Sequence, residues 1–308
     1  MAIGEGFGKV ILFGEHFVVY GLPGIASALG NKTIAEVEPA EKTEIIDNRP
    51  ETPGYKEKKK EQQEKSMKFI WKAMGLDPEK NPVKITLSGD LLATSGTGAS
   101  AASCAAIARA LNVQFNLGFD DEKINQIAYE GERGYHGTPS GIDNSCATFG
   151  GLIWFKKNLD GPNTIERLSA ERPIEIVEGN TGLTADTAEV VADVAKKREE
   201  NPEEFKQIFS EYEKVVSEAR NALEAGDVER IGQLMDKNHE LLKRIGVSCD
   251  ELENLIRIAK ENGALGAKLT GTGRGGYMIA LTPGKELQEK VAKAIENAGF
   301  MVLRTSIG

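Results

Sequence analysis

Near its start the chain carries the stretch Lys9-Val-Ile-Leu-Phe-Gly-Glu-His-Phe-Val-Val-Tyr-Gly21. The apolar run at residues 7–13 predicts a strand that ends at Gly14, and a second apolar segment follows at residues 17–20. A lysine inside an apolar strand is costly unless its ammonium group meets an anion. Lys9 is therefore a candidate partner for a carboxylate or a phosphate, although a lysine that reaches water from an edge strand would give the same pattern.

A glycine-rich segment, Thr94-Ser-Gly-Thr-Gly-Ala-Ser100, lies between a predicted strand at residues 83–87 and a predicted helix of small residues at 101–111. Glycine lets backbone N–H groups approach a phosphate closely, and the N-terminus of the following helix attracts negative charge. The hydroxyl of Ser100 lies where it can bind a phosphate or Mg²⁺. The segment is not a Walker A loop because no Gly-Lys-Ser/Thr follows, and an ordinary tight turn into a helix remains the alternative.

A second candidate is the turn-rich segment Gly134-Tyr-His-Gly-Thr-Pro-Ser-Gly-Ile-Asp-Asn144, which we predict to be a loop ending near Asp143. Glu130 and Glu132 lie just upstream, at the end of a predicted helix. Kinases hold Mg²⁺ with one or two carboxylates plus the substrate phosphates, and a further carboxylate accepts or orients the proton of the attacking hydroxyl. Asp143 is a candidate for this second role, unless it is a turn aspartate that bonds to its own backbone.

Two further segments are ambiguous. The glycine-rich stretch Lys268-Leu-Thr-Gly-Thr-Gly-Arg-Gly-Gly276 indicates either close approach to a ligand, with Arg274 placed to meet a phosphate, or a simple β-turn. Residues 51–66 are nearly all polar. They include Lys56, Lys58, Lys59 and Lys60. Because acidic residues nearly balance these charges, the composition favours a solvated helix or loop over a basic lid above a nucleotide.

Composition excludes several classes of protein. The 308 residues are 40% apolar and 28% charged, which is typical of a globular protein, and the net charge of −9 disfavours a nucleic-acid or anionic-membrane surface. Three widely spaced cysteines fit a reducing cytosol, so we expect a cytoplasmic protein without disulfides. Residues 1–7 lack a signal-peptide pattern, and no apolar run is long enough to cross a bilayer. Three histidines without metal-ligand spacing make a zinc site unexpected.

Together these motifs resemble those of the GHMP kinases (galactokinase, homoserine kinase, mevalonate kinase and phosphomevalonate kinase). Residues 9–21 resemble the first motif of that family. Both Gly-Glu-His followed by Val-Val-Tyr-Gly and the segment His136–Asn144 are similar to the mevalonate kinase versions. The resemblance covers nearly the whole chain. It implies ATP- and Mg²⁺-dependent phosphorylation of the 5-hydroxyl of (R)-mevalonate in the isoprenoid-forming mevalonate pathway, by a protein that is a possible homodimer.

The resemblance also implies a fold and a role for each matching residue. The fold would be α+β, with a domain like ribosomal protein S5 domain 2 at residues 1–178 and a ferredoxin-like domain at residues 179–308. Asp143 would be the general base or would orient the hydroxyl, and Lys9 would stabilise the transition state. Mg²⁺ would be held by Glu132 and Ser100. The ATP phosphates would be cradled by Gly96, Thr97, Gly98, Ala99, Ser100, Ala101 and Ala102. The substrate would be bound by Glu15, His16, Thr187, Gly271 and Gly273.

The chain departs from the family pattern in several places. Thr97 and Ala99 replace the usual Leu and first Ser of the second motif, and Arg274 and Tyr277 stand where small residues or Cys are common. The segment Asn180–Thr187 lacks the proline and basic residue often found there. These changes leave open another acceptor, such as phosphomevalonate, the 3-hydroxyl of mevalonate, or a sugar or amino-acid alcohol. A non-catalytic sensor with the same fold is a further alternative, although a sensor would not need both Lys9 and Asp143.

Overall fold

The computed structural model describes residues 1–94, 96–137, 139–161, 163–169 and 173–308. The chain divides into two compact units, which we call unit 1 (Met1–Lys9 and Ala28–Gly150) and unit 2 (Val10–Ser27 and Gly151–Gly308). Ser95 of the first glycine-rich segment and Thr138 of the turn-rich segment lie outside the described residues. The predicted domain boundary at residue 178 stays a prediction.

The elements up to Gly150 are β1 (Ala2–Phe13), β2 (Pro23–Pro39), β3 (Glu44–Asp47), α1 (Tyr55–Met74), β4 (Val83–Gly89), α2 (Ala99–Gln114), α3 (Asp121–His136) and α4 (Ile142–Phe149), with a short 3₁₀ turn at Val18–Tyr20. The later elements are β5 (Leu152–Lys156), β6 (Thr164–Leu168), β7 (Ile174–Asn180), α5 (Thr187–Glu200), α6 (Pro202–Glu224), α7 (Val228–Arg244), α8 (Asp250–Glu261), β8 (Gly266–Thr270), β9 (Tyr277–Leu281), α9 (Lys285–Asn297) and β10 (Met301–Ile307).

Unit 1 packs helices against one face of a sheet. Residues 33–39 of β2 pair antiparallel with β4, and β3 pairs parallel with β4. Alternate residues of β4 (Val83, Ile85 and Leu87) are buried, as the two-residue period of a strand requires. They join a core to which α2 contributes mainly alanines, and small side chains let neighbouring helices approach closely. This packing fixes the N-terminus of α2, where the glycine-rich segment enters the helix.

Unit 2 contains an antiparallel sheet in the order β10-β7-β9-β8. Residues 23–27 of β2 pair antiparallel with β5, which pairs in turn with β6. The fully buried Tyr212 of α6 stacks on Phe17 with ring centroids 3.9 Å apart. Its hydroxyl donates to the Pro23 carbonyl at 2.7 Å. Helix α6 thereby anchors the segment that follows Gly14.

The predicted α+β class is confirmed, and the strands predicted at residues 7–13 and 83–87 and the helix predicted at residues 101–111 are present, with ends shifted by at most five residues. The short strands β3 and β6 were not predicted. The prediction of a loop through Asp143 was wrong, because α4 begins at Ile142. Residues 51–66 run into the largely solvated helix α1. In the part of the chain that the structure describes, no helix is both long and apolar enough to cross a membrane.

Candidate active site

Lys9 and Asp143 form an ion pair in unit 1. The Lys9 Nζ lies 3.3 Å from the Asp143 Oδ1, and it donates to the Gly96 carbonyl at 3.4 Å. Only 12% of the Lys9 side chain is exposed, so this lysine does not simply reach water. Burial alone would lower the pKa of Lys9, but the charge and hydrogen bond of Asp143 outweigh burial and raise it. The ammonium group therefore stays charged at neutral pH.

Asp143 owes its position to the start of α4. Gly141 is the N-cap residue and has a φ of +94°, a conformation that glycine adopts readily. Asp143 then lies in the first turn of the helix, where the helix dipole favours a negative side chain. Its side chain is 31% exposed, so an accessible carboxylate faces Lys9. Such a group can take up a proton from a bound hydroxyl.

The first glycine-rich segment is held against β1. The Thr97 carbonyl accepts a hydrogen bond from the Lys9 N–H at 2.8 Å, and the Thr97 hydroxyl donates to the Leu92 carbonyl at 3.3 Å. Gly98 caps α2 with a φ of +71°, and a Cβ there would lie 2.9 Å from the Lys9 Cγ. Only glycine fits this position. The uncommitted N–H groups of the first turn of α2 therefore lie beside Lys9, as an anion site requires.

Glu132 of α3 is a buried carboxylate next to this segment, only 1% exposed. The Ser100 hydroxyl hydrogen-bonds to it, and the His136 Nε2 lies 3.8 Å from its Oε2. Its Oε1 is buried without a hydrogen-bond partner among the described residues. Burial, reinforced by the charge of Asp143, raises the pKa of Glu132 to about 8.

The Glu132 and Ser100 oxygens fit a magnesium ion. Mg²⁺ prefers oxygen ligands and takes only one or two carboxylates from the protein, with phosphates and waters completing the octahedron. The unpartnered Oε1 of Glu132 is an acceptor that such an ion would satisfy. Within the described ranges there is no group of three or more His, Cys, Asp or Glu side chains placed to hold a metal by themselves. The donor set therefore suits a metal that arrives with a phosphate ligand.

A small cavity in unit 1 opens beside Ser100. Most of its lining residues have polar or charged side chains, and three of these are cationic. The lining residues are Asp47, Arg49, Tyr55, Lys56, Lys59, Gln63, Ala99, Ser100 and Tyr135. The cavity thus extends from the first turn of α2 towards the face of α1, and it is a candidate site for part of a nucleotide.

Buried Arg49 braces the first turn of α2. Its guanidinium group donates to both carboxylate oxygens of Asp47 (2.9 and 2.6 Å), to the Ala99 carbonyl (3.0 Å) and to the Ser103 hydroxyl (2.6 Å). Burial would raise the pKa of Asp47, but Arg49 outweighs it and lowers that pKa. Sequence reasoning missed the contact with α2 because Ala99 and Ser103 lie 50 and 54 positions after Arg49 and form no local pattern with it.

In unit 2, Glu15 forms a fully buried ion pair with Lys268. Glu15 also accepts hydrogen bonds from the Gly14 N–H at 3.1 Å and from the Asn238 amide at 3.3 Å. Lys268 donates in addition to the Leu269 carbonyl at 2.7 Å. The oxygens of Glu15 are thus committed within the protein, and its predicted contact with the substrate stays a prediction.

His16, Thr187 and the second glycine-rich loop lie together in unit 2. The His16 Nε2 donates to the Thr272 carbonyl at 2.7 Å, and the Thr272 and Thr187 hydroxyls are 2.7 Å apart. Burial lowers the pKa of His16, so the ring is neutral. Its Nδ1 is a buried acceptor without a partner in the described chain. Gly273 has a φ of +77°, and a Cβ there would lie 2.2 Å from a backbone carbonyl.

Arg274 is occupied within unit 2. Its Nη1 donates to the Asp193 carboxylate of α5 at 2.6 Å, and its Nε donates to the Gly246 carbonyl at 3.2 Å. The departure from the family pattern at this position therefore comes with a neutralising partner. The ion pair with Asp193 neutralises the positive charge of Arg274, so a bound phosphate is not needed to explain an arginine at this position.

We expect Lys268→Ala to destabilise the protein strongly. The substitution leaves the carboxylate of Glu15 buried without its counter-ion, which typically costs about 3–5 kcal/mol. The free energy of unfolding, measured by denaturant titration, should fall by that amount. The double variant Glu15→Gln/Lys268→Met removes both charges and should recover much of the loss. A loss below about 1 kcal/mol in the single variant would contradict a fully buried pair.

The site and the fold together indicate a small-molecule kinase, and comparison with known families identifies the class. The family model described as GHMP kinases N terminal domain matches residues 64–151, and the one described as GHMP kinases C terminal matches residues 219–300. The chain belongs to the GHMP kinase family.

Within that family, the chain is similar to mevalonate kinases. The enzymes of Thermococcus sibiricus and Pyrococcus furiosus are each 35% identical and align over 97% of this chain and 94% of their own length. A crystal structure of the L. major mevalonate kinase in complex with R-mevalonate is 38% identical, with a TM-score of 0.94 over 100% of this chain and 96% of its own. The predicted place of this chain among the mevalonate kinases is confirmed.

Proposed function

We propose that this protein transfers the γ-phosphoryl group of ATP to the 5-hydroxyl of (R)-mevalonate, giving 5-phosphomevalonate and ADP. The observation that carries the proposal is the Lys9–Asp143 ion pair beside the glycine-rich turn that opens α2. It combines a carboxylate, a cation and a helix N-terminus, which phosphoryl transfer uses for proton acceptance and charge neutralisation. The identity to mevalonate kinases over nearly the full chain supports the choice of acceptor.

In the proposed reaction the substrate hydroxyl oxygen bonds to the γ-phosphorus, and the bond from that phosphorus to the β–γ bridging oxygen breaks, releasing ADP. The hydroxyl proton passes to the Asp143 carboxylate and then to water. Lys9 pairs with the Asp143 carboxylate and offers positive charge to the transferring group. Because the transition state is loose, most of the rate enhancement comes from positioning and neutralisation.

Glu132 and Ser100 are the residues that would hold Mg²⁺. When bound, the ion neutralises phosphate charge and orients the phosphate oxygens. The Ser100 hydroxyl hydrogen-bonds to Glu132, and the Glu132 Oε1 has no partner among the described residues, so both side chains can supply an oxygen to the ion. The backbone N–H groups of Gly96–Ala102 would then hold the phosphates, with Arg49 fixing that turn in place.

In unit 2 we propose that His16 and Thr187 bind the substrate. The unpartnered Nδ1 of neutral His16 is placed to accept a hydrogen bond from a substrate hydroxyl. Glu15, with Lys268, would position the Gly14–His16 segment, and Gly271 and Gly273 would let the loop backbone approach the substrate. A homodimer and a cytoplasmic location remain predictions.

The test is an acceptor screen with detection of ADP. The purified protein is given ATP, with and without Mg²⁺, and one alcohol at a time: (R)-mevalonate, phosphomevalonate, galactose or homoserine. We expect ADP release with (R)-mevalonate that depends on Mg²⁺, and a product phosphorylated at the 5-hydroxyl by mass spectrometry and NMR. Much faster turnover of another alcohol would contradict the proposed acceptor. Tight ATP binding without ADP release on any acceptor would indicate a sensor instead.

A further inference from the structure

The cavity beside Ser100 is faced by one side of α1. Tyr55, Lys56, Lys59 and Gln63 all line it, and their spacing of three and four residues places them on the same face of the helix. Lys58 and Lys60 do not line the cavity and are exposed. The lysines of this polar run are therefore not equivalent.

Two of the three cations around the cavity are already neutralised. The guanidinium group of Arg49 is paired with Asp47 at 2.6 Å. The Lys56 Nζ donates to the Asp47 carbonyl at 2.9 Å and lies 3.8 and 3.9 Å from the carboxylates of Asp47 and Glu51. Lys59 has neither an ion pair nor a side-chain hydrogen bond within the described ranges. The cavity thus holds one uncommitted positive charge.

Lys59 lines the same cavity as the first turn of α2, because Ala99 and Ser100 are also lining residues. Ser100, whose hydroxyl bonds to Glu132, lines the cavity together with Lys59. An anion bound at the N-terminus of α2 would therefore give the ammonium group of Lys59 an ion-pair partner.

We propose that Lys59 is a phosphate-binding residue whose ammonium group contacts the phosphate chain of the nucleotide in this cavity. The inference rests on the proposed function. It adds a charged side chain to the phosphate contacts, which the glycine-rich segments do not supply. A lysine is a compact charge on a flexible stem, which suits a phosphate chain that changes its charge distribution during transfer. Arg49 and Lys56 then shape the cavity, while Lys59 binds.

The experiment measures nucleotide binding directly, without any acceptor. Dissociation constants for adenosine, AMP, ADP and a non-hydrolysable ATP analogue are determined by calorimetry for the wild type, Lys59→Met, Lys59→Arg and the matched control Lys58→Met. Methionine retains the length and apolar character of the lysine stem. Thermal melting of each variant confirms that it is folded.

We expect Lys59→Met to weaken ADP and the ATP analogue by about 10- to 100-fold, the size of a lost charge-assisted hydrogen bond, with adenosine unchanged. Lys59→Arg should restore most of the affinity, and Lys58→Met should match the wild type. Equal weakening of adenosine, or equal effects at residues 58 and 59, would overturn the proposal. Because no acceptor is present, the result holds whichever alcohol the protein phosphorylates, and a wild type that binds no nucleotide contradicts the proposed function itself.

Discussion

Replacing Asp143 by asparagine should lower kcat by about 10²- to 10⁴-fold, the usual contribution of a positioned general base. Asparagine has nearly the same shape as aspartate but neither accepts a proton at neutral pH nor pairs with the ammonium group of Lys9, which lies 3.3 Å from the carboxylate. ATP contacts the other parts of the site in our proposal, so its dissociation constant should change by less than tenfold. Steady-state kinetics with a coupled ADP assay and calorimetric binding of ADP measure the two quantities.

The control for this variant is Asp121→Asn, which removes an exposed carboxylate from the first turn of a neighbouring helix in the same unit. Its kcat should stay close to that of the wild type. If Asp143→Asn retains kcat within about tenfold, then Asp143 is not the base. A comparable loss in nucleotide affinity would instead mean that the Lys9–Asp143 pair chiefly maintains the phosphate-binding turn.

The candidate base could be found from the sequence, but its local structure could not. A run of glycine, proline and serine before Asp143 predicts a loop, and α4 is only eight residues long, too short for its hydrophobic period to stand out. The structure shows that Gly141 ends this run as a helix cap. The turn formers thus lead into a helix, and the first turn of that helix is what orients the carboxylate.

The contacts that hold the site in place had no signal in the sequence at all. Glu15 meets Lys268, which is 253 positions away, and Arg49 meets Ala99, which is 50 positions away. Periodicity and capping rules describe neighbours along the chain, so they predict strands and helices well. These rules carry no information on which buried charged residues form ion pairs with each other. For the same reason, sequence patterns alone did not separate Lys59 from the lysines beside it.

Replacing Glu132 by glutamine should abolish most activity and yet stabilise the metal-free protein. Loss of the proposed metal carboxylate should lower kcat/KM by about 10³-fold, which corresponds to the several kcal/mol that a bound cation contributes to transition-state charge stabilisation. In the absence of Mg²⁺, however, Glu132 is a buried carboxyl group whose pKa is raised to about 8. Burial of its ionised form is unfavourable, and glutamine removes that penalty.

The stabilisation should depend on pH in a defined direction. The folded pKa of Glu132, about 8, lies above that of an unfolded glutamate, about 4.3, so between these values only the folded state holds the proton. The free energy of unfolding of the wild type therefore falls as pH rises from about 4.3 to 8. Glutamine does not titrate, so Glu132→Gln should match the wild type near pH 4 and exceed it by about 4 kcal/mol near pH 8.

Denaturant unfolding in EDTA at several pH values measures this difference, and Glu130→Gln is the matched control. Glu130 lies two positions before Glu132 on α3, pairs with Arg133 at 2.8 Å and is partly exposed. Its replacement should therefore change the free energy of unfolding by less than about 0.5 kcal/mol at every pH. Adding Mg²⁺ with a nucleotide should stabilise the wild type more than Glu132→Gln, because only the carboxylate then gains a counter-ion. A variant that is destabilised at pH 8, or that responds to Mg²⁺ and nucleotide like the wild type, would remove Glu132 from the metal site. A buried carboxylate that binds a cation lowers the stability of the protein when the cation is absent, because its charge then has no partner. Binding sites commonly sacrifice stability for function in this way.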